Sequence, residues 1–444
     1  MTTATRQGSG DHVSGMGETG ELPRLLPPAG PGGQAPDLTA HLARHGRLPY
    51  RERPGVLIGD IEQAGLTGRG GAAFPVHRKL AAVLEAAGRR GKTPTVIANG
   101  AESEPASDKD AMLLWLAPHL VLDGLQLAAE AVGADSAILY THADREHDLG
   151  LRLRQALLER QAAGADRVPV QLALAPPRFL AGQETALVSH LAGGPAIPAF
   201  TPPRITERGL AGAPTLVQNV ETLAHLALIA RRGPGWFRAV GTGPEPGSML
   251  ATIRRPDGRP RITEVPLGMP LRDLLGDLAP ESAVLLGGYH GTWLPAARAA
   301  GLSLDNRSLA PEGARVGAGV VISLPADRCG LVETANVVRY LAFESAGQCG
   351  PCLNGLPRIA AAFAELARGR SGPRTRADLE RWAGLVTGRG ACHHPDGTAR
   401  FVRSALVTFA AEADRHERGR CSATSARPFL PIPAGSARTE KDWM

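Results

Sequence analysis

Lysine is nearly missing from this chain of 444 residues: of 49 basic side chains, only Lys79, Lys92, Lys109 and Lys441 are lysine. Aromatic residues are scarce as well, at 4%, and the arginines are dispersed. With so little to stack on bases, a net charge of +6 does not point to nucleic acid as a partner. No window approaches the roughly 18 consecutive apolar residues that a membrane-spanning helix needs. Residues 1–37 have neither the cationic start nor the apolar run of a signal peptide and read as a disordered leader. The expected location is therefore cytoplasmic, or peripheral on a membrane complex. Five cysteines do not make a secreted disulfide framework, which turns attention to metal or redox chemistry.

What is present is enough apolar residue, 43%, to build several cores. Strand-like runs at 93–99, 136–142 and 168–176 alternate with helical patterns over 108–132 and 145–163. That alternation predicts an α/β unit with a parallel sheet. Segments 180–192 and 214–231 read as helices. Between 245 and 300 short β runs separated by Asp-Gly and Gly-Gly turns predict a small second domain. From about 326 to 417 the pattern is helical throughout, as in a bundle, and 418–444 reads as a flexible tail.

Four motifs carry chemistry. GLTGRGGAAFPVHRK at 65–79 sets Gly68, Gly70 and Gly71 before a helix starting near Pro75, a geometry that brings backbone amides to an anion. It matches neither the GxGxxG nor the Walker A pattern. Lysine retained at positions 79 and 109 of an arginine-rich chain suggests that a compact ammonium is needed there. VIANGAESEPASDKD at 96–110 places Asn99, Glu102, Ser103 and Glu104 after a strand, where ligands of open α/β sheets bind. AGQETAL at 181–187 puts Gln183, Glu184 and Thr185 in the first turn of a helix after Gly182. Lastly, Cys349 and Cys352 have C-x-x-C spacing, and Cys392 stands before His393 and His394. Three readings stay open on spacing: an iron-sulfur cluster, a zinc site completed by a histidine, and, least in keeping with a helical context, a redox dithiol.

In this order the motifs resemble those of the flavin- and NADH-binding F subunits of respiratory complex I and of related NAD-linked hydrogenases and formate dehydrogenases. The matching signatures are GRGGAAFP with Lys79, NGAESEP, GQETAL, QNVETL with Asn219 and Thr222, and the cysteine set. The resemblance implies a Rossmann-like FMN/NADH domain (38–240), a β-grasp, SLBB-like domain (241–325) and a helical iron-sulfur domain (326–417). It also implies FMN, a 4Fe-4S cluster, NADH or NADPH as substrate, and a ferredoxin-type or other iron-sulfur partner. FMN and nicotinamide contacts then fall to Gly68, Arg69, Gly70, Gly71, Phe74, Lys79, Asn99, Glu102, Ser103, Glu104, Gly182, Gln183, Glu184, Thr185, Asn219 and Thr222, with Lys79 and Arg69 neutralising flavin charge. Cluster ligands fall to Cys349, Cys352 and Cys392.

Departures from the family pattern matter as much. Ala346 replaces the first cluster cysteine, so a histidine, water or partner must complete the set. Cys329 lies on the order of 25 Å away if 330–345 is helical, and neither it nor Cys421 has a role. Ala82, Phe179 and Arg204 stand at positions that are aromatic in the family pattern, tyrosine in the case of Phe179. Each lost stacking partner weakens nicotinamide binding by about 0.5–1.5 kcal/mol. Two alternatives follow: a ferredoxin-linked flavoprotein without NADH binding, and a non-catalytic subunit with structural zinc.

Overall fold

The computed structural model describes residues 22–27, 35–142, 148–279, 282–433 and 443. Four short apolar strands, β1 (Thr95–Gly100), β2 (Ser136–His142), β3 (Val170–Ala175) and β4 (Thr215–Asn219), form a parallel sheet in the order β3-β2-β1-β4. Successive strands step outward from β1 to β3, and β4 then returns to the other side of β1. Asn99 and Asn219 are paired across this reversal, at the carboxyl ends of their strands. Such a switch point leaves a crevice for ligands.

Two helical expectations need correction. Segment 214–231 opens with β4 before the helix Val220–Arg232, because the Asn219 side chain accepts from the Glu221 amide and caps it. The run at 108–132 breaks into Lys109–Leu116 and Pro118–Val132, bent by 96°. Pro118 cannot donate to the preceding turn but suits the first position of a new helix. That second helix is buried almost throughout. It touches the backbone of Val220–Arg232 at Gly124, where a Cβ would meet the Leu223 carbonyl at 2.0 Å. No single helix among the described residues is long and apolar enough to cross a membrane.

The second sheet comprises β5 (Ser248–Arg254), β6 (Pro260–Pro266), β7 (Ala283–Leu286), β8 (Thr292–Pro295) and β9 (Val320–Leu324), ordered β6-β5-β9-β7-β8. Only the β5–β9 pair is parallel, as in a β-grasp. The C-terminal helices Gly330–Phe343, Leu356–Ala367, Thr375–Val386 and His394–Thr408 form a bundle, extended by Ala410–His416. Trp293 of β8 joins the two units by packing on Phe401 and Phe409.

Parts of both ends are ordered against these cores. Leu25 is buried, the amides of Arg24 and Leu25 donate to Glu264 at 2.6 and 2.7 Å, and the Arg24 guanidinium lies 4.0 Å from the Trp236 ring. The rest of the expected leader up to residue 34 lies outside the described residues. Of residues 418–444, read as a flexible tail, 434–442 and 444 lie outside the described residues, and 418–433 lie across the bundle instead. The amides of Phe429 and Leu430 donate to Glu333 at 2.8 and 3.0 Å, and Trp443 stacks 3.8 Å from the Arg178 guanidinium. Prolines break any periodicity there, yet the apolar residues between them still find apolar surface.

Candidate functional site

The glycine loop closes on itself, the Gly68 amide donating to Phe74 O at 2.9 Å and the Val76 amide to Leu66 O at 3.0 Å. Inside it the amides of Gly70, Gly71, Ala72, Ala73 and Phe74 have no acceptor among the described residues. The helix Val76–Arg90 starts directly after them. Unclaimed amides beside a helix N-terminus make a cradle for an anion. Lys79 points its ammonium at Glu184 Oε2, 2.8 Å away and 105 residues on. Both side chains are partly exposed, so the pair can open to a ligand at little cost. Phe74 is 49% exposed at the same rim.

Arg69 does not take the expected place beside a flavin phosphate. It is buried, with its guanidinium donating to the carbonyls of Thr67, Ser248 and Pro246 at 3.2, 3.1 and 3.4 Å. Its amide donates to the Thr222 hydroxyl at 2.8 Å. Arginine here staples the loop to β5 and to the helix after β4.

On the other side of the crevice the Asn99 side chain donates to Gly182 O at 2.8 Å, and a Cβ at Gly182 would meet Ala101 O at 2.5 Å. The second and third motifs therefore touch. Asn219 donates to Asp110 at 2.6 Å, and the Ser103 hydroxyl lies 3.1 Å from His142 Nε2. Other members of these motifs are occupied within the protein. Glu102 accepts the amides of Lys109, Asp110 and Ala111 at 3.0 to 3.1 Å, capping their helix. Burial and the nearby Asp110 push its carboxyl up to about 8. Glu104 crosses to the β-grasp unit, accepting the Tyr289 amide at 2.8 Å. Gln183 caps the helix Glu184–Leu191 through the Thr185 and Ala186 amides, and the Thr185 hydroxyl donates to it at 2.7 Å.

A buried ionic cluster lies beneath the switch point. Lys109 Nζ contacts Asp110 at 2.7 Å and Glu221 at 2.8 Å. Burial alone would depress the ammonium, but the carboxylates of Asp110 and Glu221 hold it above its ordinary value. The sequence singles out the lysine but not its partners. Glu221 stands inside QNVETL, between Asn219 and Thr222, which was the available signal. On the far side of the acidic loop a cavity of about 820 Å3 is lined by Ser103, His142, Arg178, Phe179 and Tyr340. Phe179, half-buried on the wall of this cavity, packs edge-on against His290 and Tyr340, at 4.9 and 6.0 Å between ring centres.

Cys349 and Cys352 flank the start of a wide helical turn, Pro351–Gly355, with Cys392 two residues before the helix His394–Thr408. Burial, with the neighbouring thiols of Cys349 and Cys392, pushes the Cys352 thiol up to about 12. Cys392 is raised as well, by burial and then by Cys349, and a cationic iron site would reverse the penalty on both thiols. Neither histidine supplies a fourth ligand in this arrangement. His394 is buried, with Nε2 at 2.8 Å from Leu341 O and Nδ1 at 3.0 Å from His290. His393 is fully exposed and pairs with Asp396 at 3.1 Å. Cys329 caps the opposite end of the helix Gly330–Phe343 and is equally out of reach.

The chain is similar to known proteins over most of its length. The model of the Nuo51 FMN-binding domain matches residues 61–228. That of the NADH-ubiquinone oxidoreductase-F iron-sulfur binding region matches residues 333–416. The chain is 30% identical over 411 residues to the F subunit of the NADH-quinone oxidoreductase of Streptomyces coelicolor, covering 87% of this chain and 88% of the relative. It is 29% identical over 385 residues to the F 2 subunit of the NADH-quinone oxidoreductase of Rhizobium meliloti, covering 83% and 90%. Among solved structures, an NAD+-reducing NiFe hydrogenase in the H2-reduced state superposes with a TM-score of 0.74 at 30% identity. That match covers 81% of this chain and 62% of the hydrogenase chain.

Proposed function

This chain belongs to the F-subunit family of NADH-quinone oxidoreductases, and from that premise we propose that it is a flavin electron-transfer protein that oxidises a reduced nicotinamide. The observation that carries the reading is the convergence of the open glycine loop, Lys79, Glu184, Asn99 and Asn219 on one switch point. When bound, FMN supplies hydride acceptance and single-electron release, and a 4Fe-4S cluster supplies onward conduction. The loop amides and Lys79 hold the flavin phosphate, while Asn99 and Asn219 offer amides at the strand ends. Phe74 gives the nicotinamide an apolar face, and Glu184, released from Lys79, accepts from its ribose or amide. Cys349, Cys352 and Cys392 hold three corners of the cluster. No side chain has to move a proton, since hydride passes between cofactors.

The test is an absorbance spectrum of anaerobically purified protein followed by stopped-flow addition of NADH. Flavin bands with a broad iron-sulfur shoulder, bleached by NADH, are expected; a colourless protein would refute the assignment. A second reading, electron entry from a reduced ferredoxin-type partner, is favoured by Ala82 and Arg204 at stacking positions and by Phe179 packing edge-on against His290. Bleaching by reduced ferredoxin but not by NADH or NADPH would select it.

A further inference from the structure

Cys329 and Cys421 have no part in the flavin or cluster chemistry, yet the fold brings them together. Cys329 precedes the first bundle helix, Glu412 and His416 lie one turn apart on the last, and Cys421 follows it. One ligand atom from each of the four lies within 4.8 Å of every other. Cys329 Sγ is 3.4 Å from His416 Nε2, and that nitrogen is 3.3 Å from Glu412 Oε1. A tetrahedron with Zn–S of about 2.3 Å and Zn–N or Zn–O of about 2.0–2.1 Å has S–N and N–O edges of roughly 3.5 and 3.3 Å.

We propose that Cys329, Glu412, His416 and Cys421 form a structural zinc site, separate from the iron-sulfur cysteines, that clamps the segment after the last helix onto the bundle. Two thiolates, an imidazole and a carboxylate suit a borderline-soft, four-coordinate ion, and a closed set leaves no position for substrate. Glu412 is held for the task, its oxygens accepting the Ser422 amide and hydroxyl, each at 2.7 Å. Such outer contacts fix a ligand's orientation. Without a cation, burial and the adjacent Cys421 push the Cys329 thiol up to about 12. Zinc binding displaces the two thiol protons to solvent and reverses that penalty.

The test is metal analysis of the whole protein purified anaerobically with its cofactors, with X-ray absorption at the zinc edge. About one zinc per chain is expected, bound by two sulfur and two nitrogen or oxygen atoms. Cys421→Ser, at an exposed position that should tolerate exchange, should cut zinc at least fivefold and leave iron content and the visible spectrum unchanged. Cys352→Ser should do the reverse, so failure of this site and failure of the cluster assignment are distinguishable. Absence of zinc from the wild type, a Cys329–Cys421 disulfide in its place, or zinc lost with Cys352→Ser but kept in Cys421→Ser would each overturn the proposal.

Discussion

Two residues at the crevice make opposite use of charge. Lys79 is paired with Glu184 in a partly exposed bridge, worth at most about 1 kcal/mol to folding. Lys79→Ala should therefore leave thermal stability almost unchanged and weaken flavin binding on the order of ten- to a hundredfold, the effect of removing a charged hydrogen bond. Equilibrium dialysis against FMN measures this, and unaltered affinity would remove the lysine from the site. Glu104 is half-buried, and desolvation raises its carboxyl from 4.5 to about 7 against the pull of the Tyr289 and Ala106 amides. Above pH 4.5 the unfolded chain releases this proton while the folded one keeps it. The group's contribution is thus complete below about pH 4.5 and is lost as pH rises through 7, by up to roughly 3 kcal/mol. Urea unfolding should show that Glu104→Gln flattens the decline over this interval.

Elements were readable from sequence where their signal is local. The glycine loop, the C-x-x-C turn and the strand at 136–142 announce themselves within a dozen residues. β4 was missed because five residues, four of them buried, show no alternation to set against the helix that follows. The segment 418–433 was missed for a related reason, since Phe429, Leu430 and Ile432 sit among prolines without a period yet pack on the bundle. Pairings such as Lys79 with Glu184 or Cys329 with His416 join residues 105 and 87 positions apart, and only the fold decides them. At this scale, ending the chain after Glu417 should expose Tyr289, whose hydroxyl donates to Pro431 O, and uncap the amide contacts to Glu333. Calorimetry is expected to show earlier melting of the bundle with FMN affinity retained; an unchanged melting temperature would mean that the segment adds nothing.

Across the whole molecule, electron transfer requires the flavin loop, the β-grasp unit and the bundle to keep fixed separations, and buried polar contacts provide the joints. Arg69 ties the glycine loop to β5, Glu221 reaches the Leu250 amide at 2.8 Å, and Glu104 reaches Tyr289. His290 then meets His394 of the bundle at 3.0 Å, and Arg400 donates to His290 O at 2.6 Å. Of these joints Arg69 is the most informative to break. Its donors go to carbonyls and to the Thr67 hydroxyl, while its charge also lies in the field of Glu221 and Glu245, so Arg69→Met removes hydrogen bonds together with part of the charge balance beneath the loop. Losing several buried hydrogen bonds should cost about 2–4 kcal/mol, some of it recovered through the apolar packing of methionine. The loop would then be held to β5 by packing alone. A single calorimetric transition is expected to separate into two, with iron content preserved and FMN content and NADH bleaching reduced together. One undivided transition with full flavin occupancy would show that the domains are coupled through their apolar contacts instead, with the arginine contributing only local order.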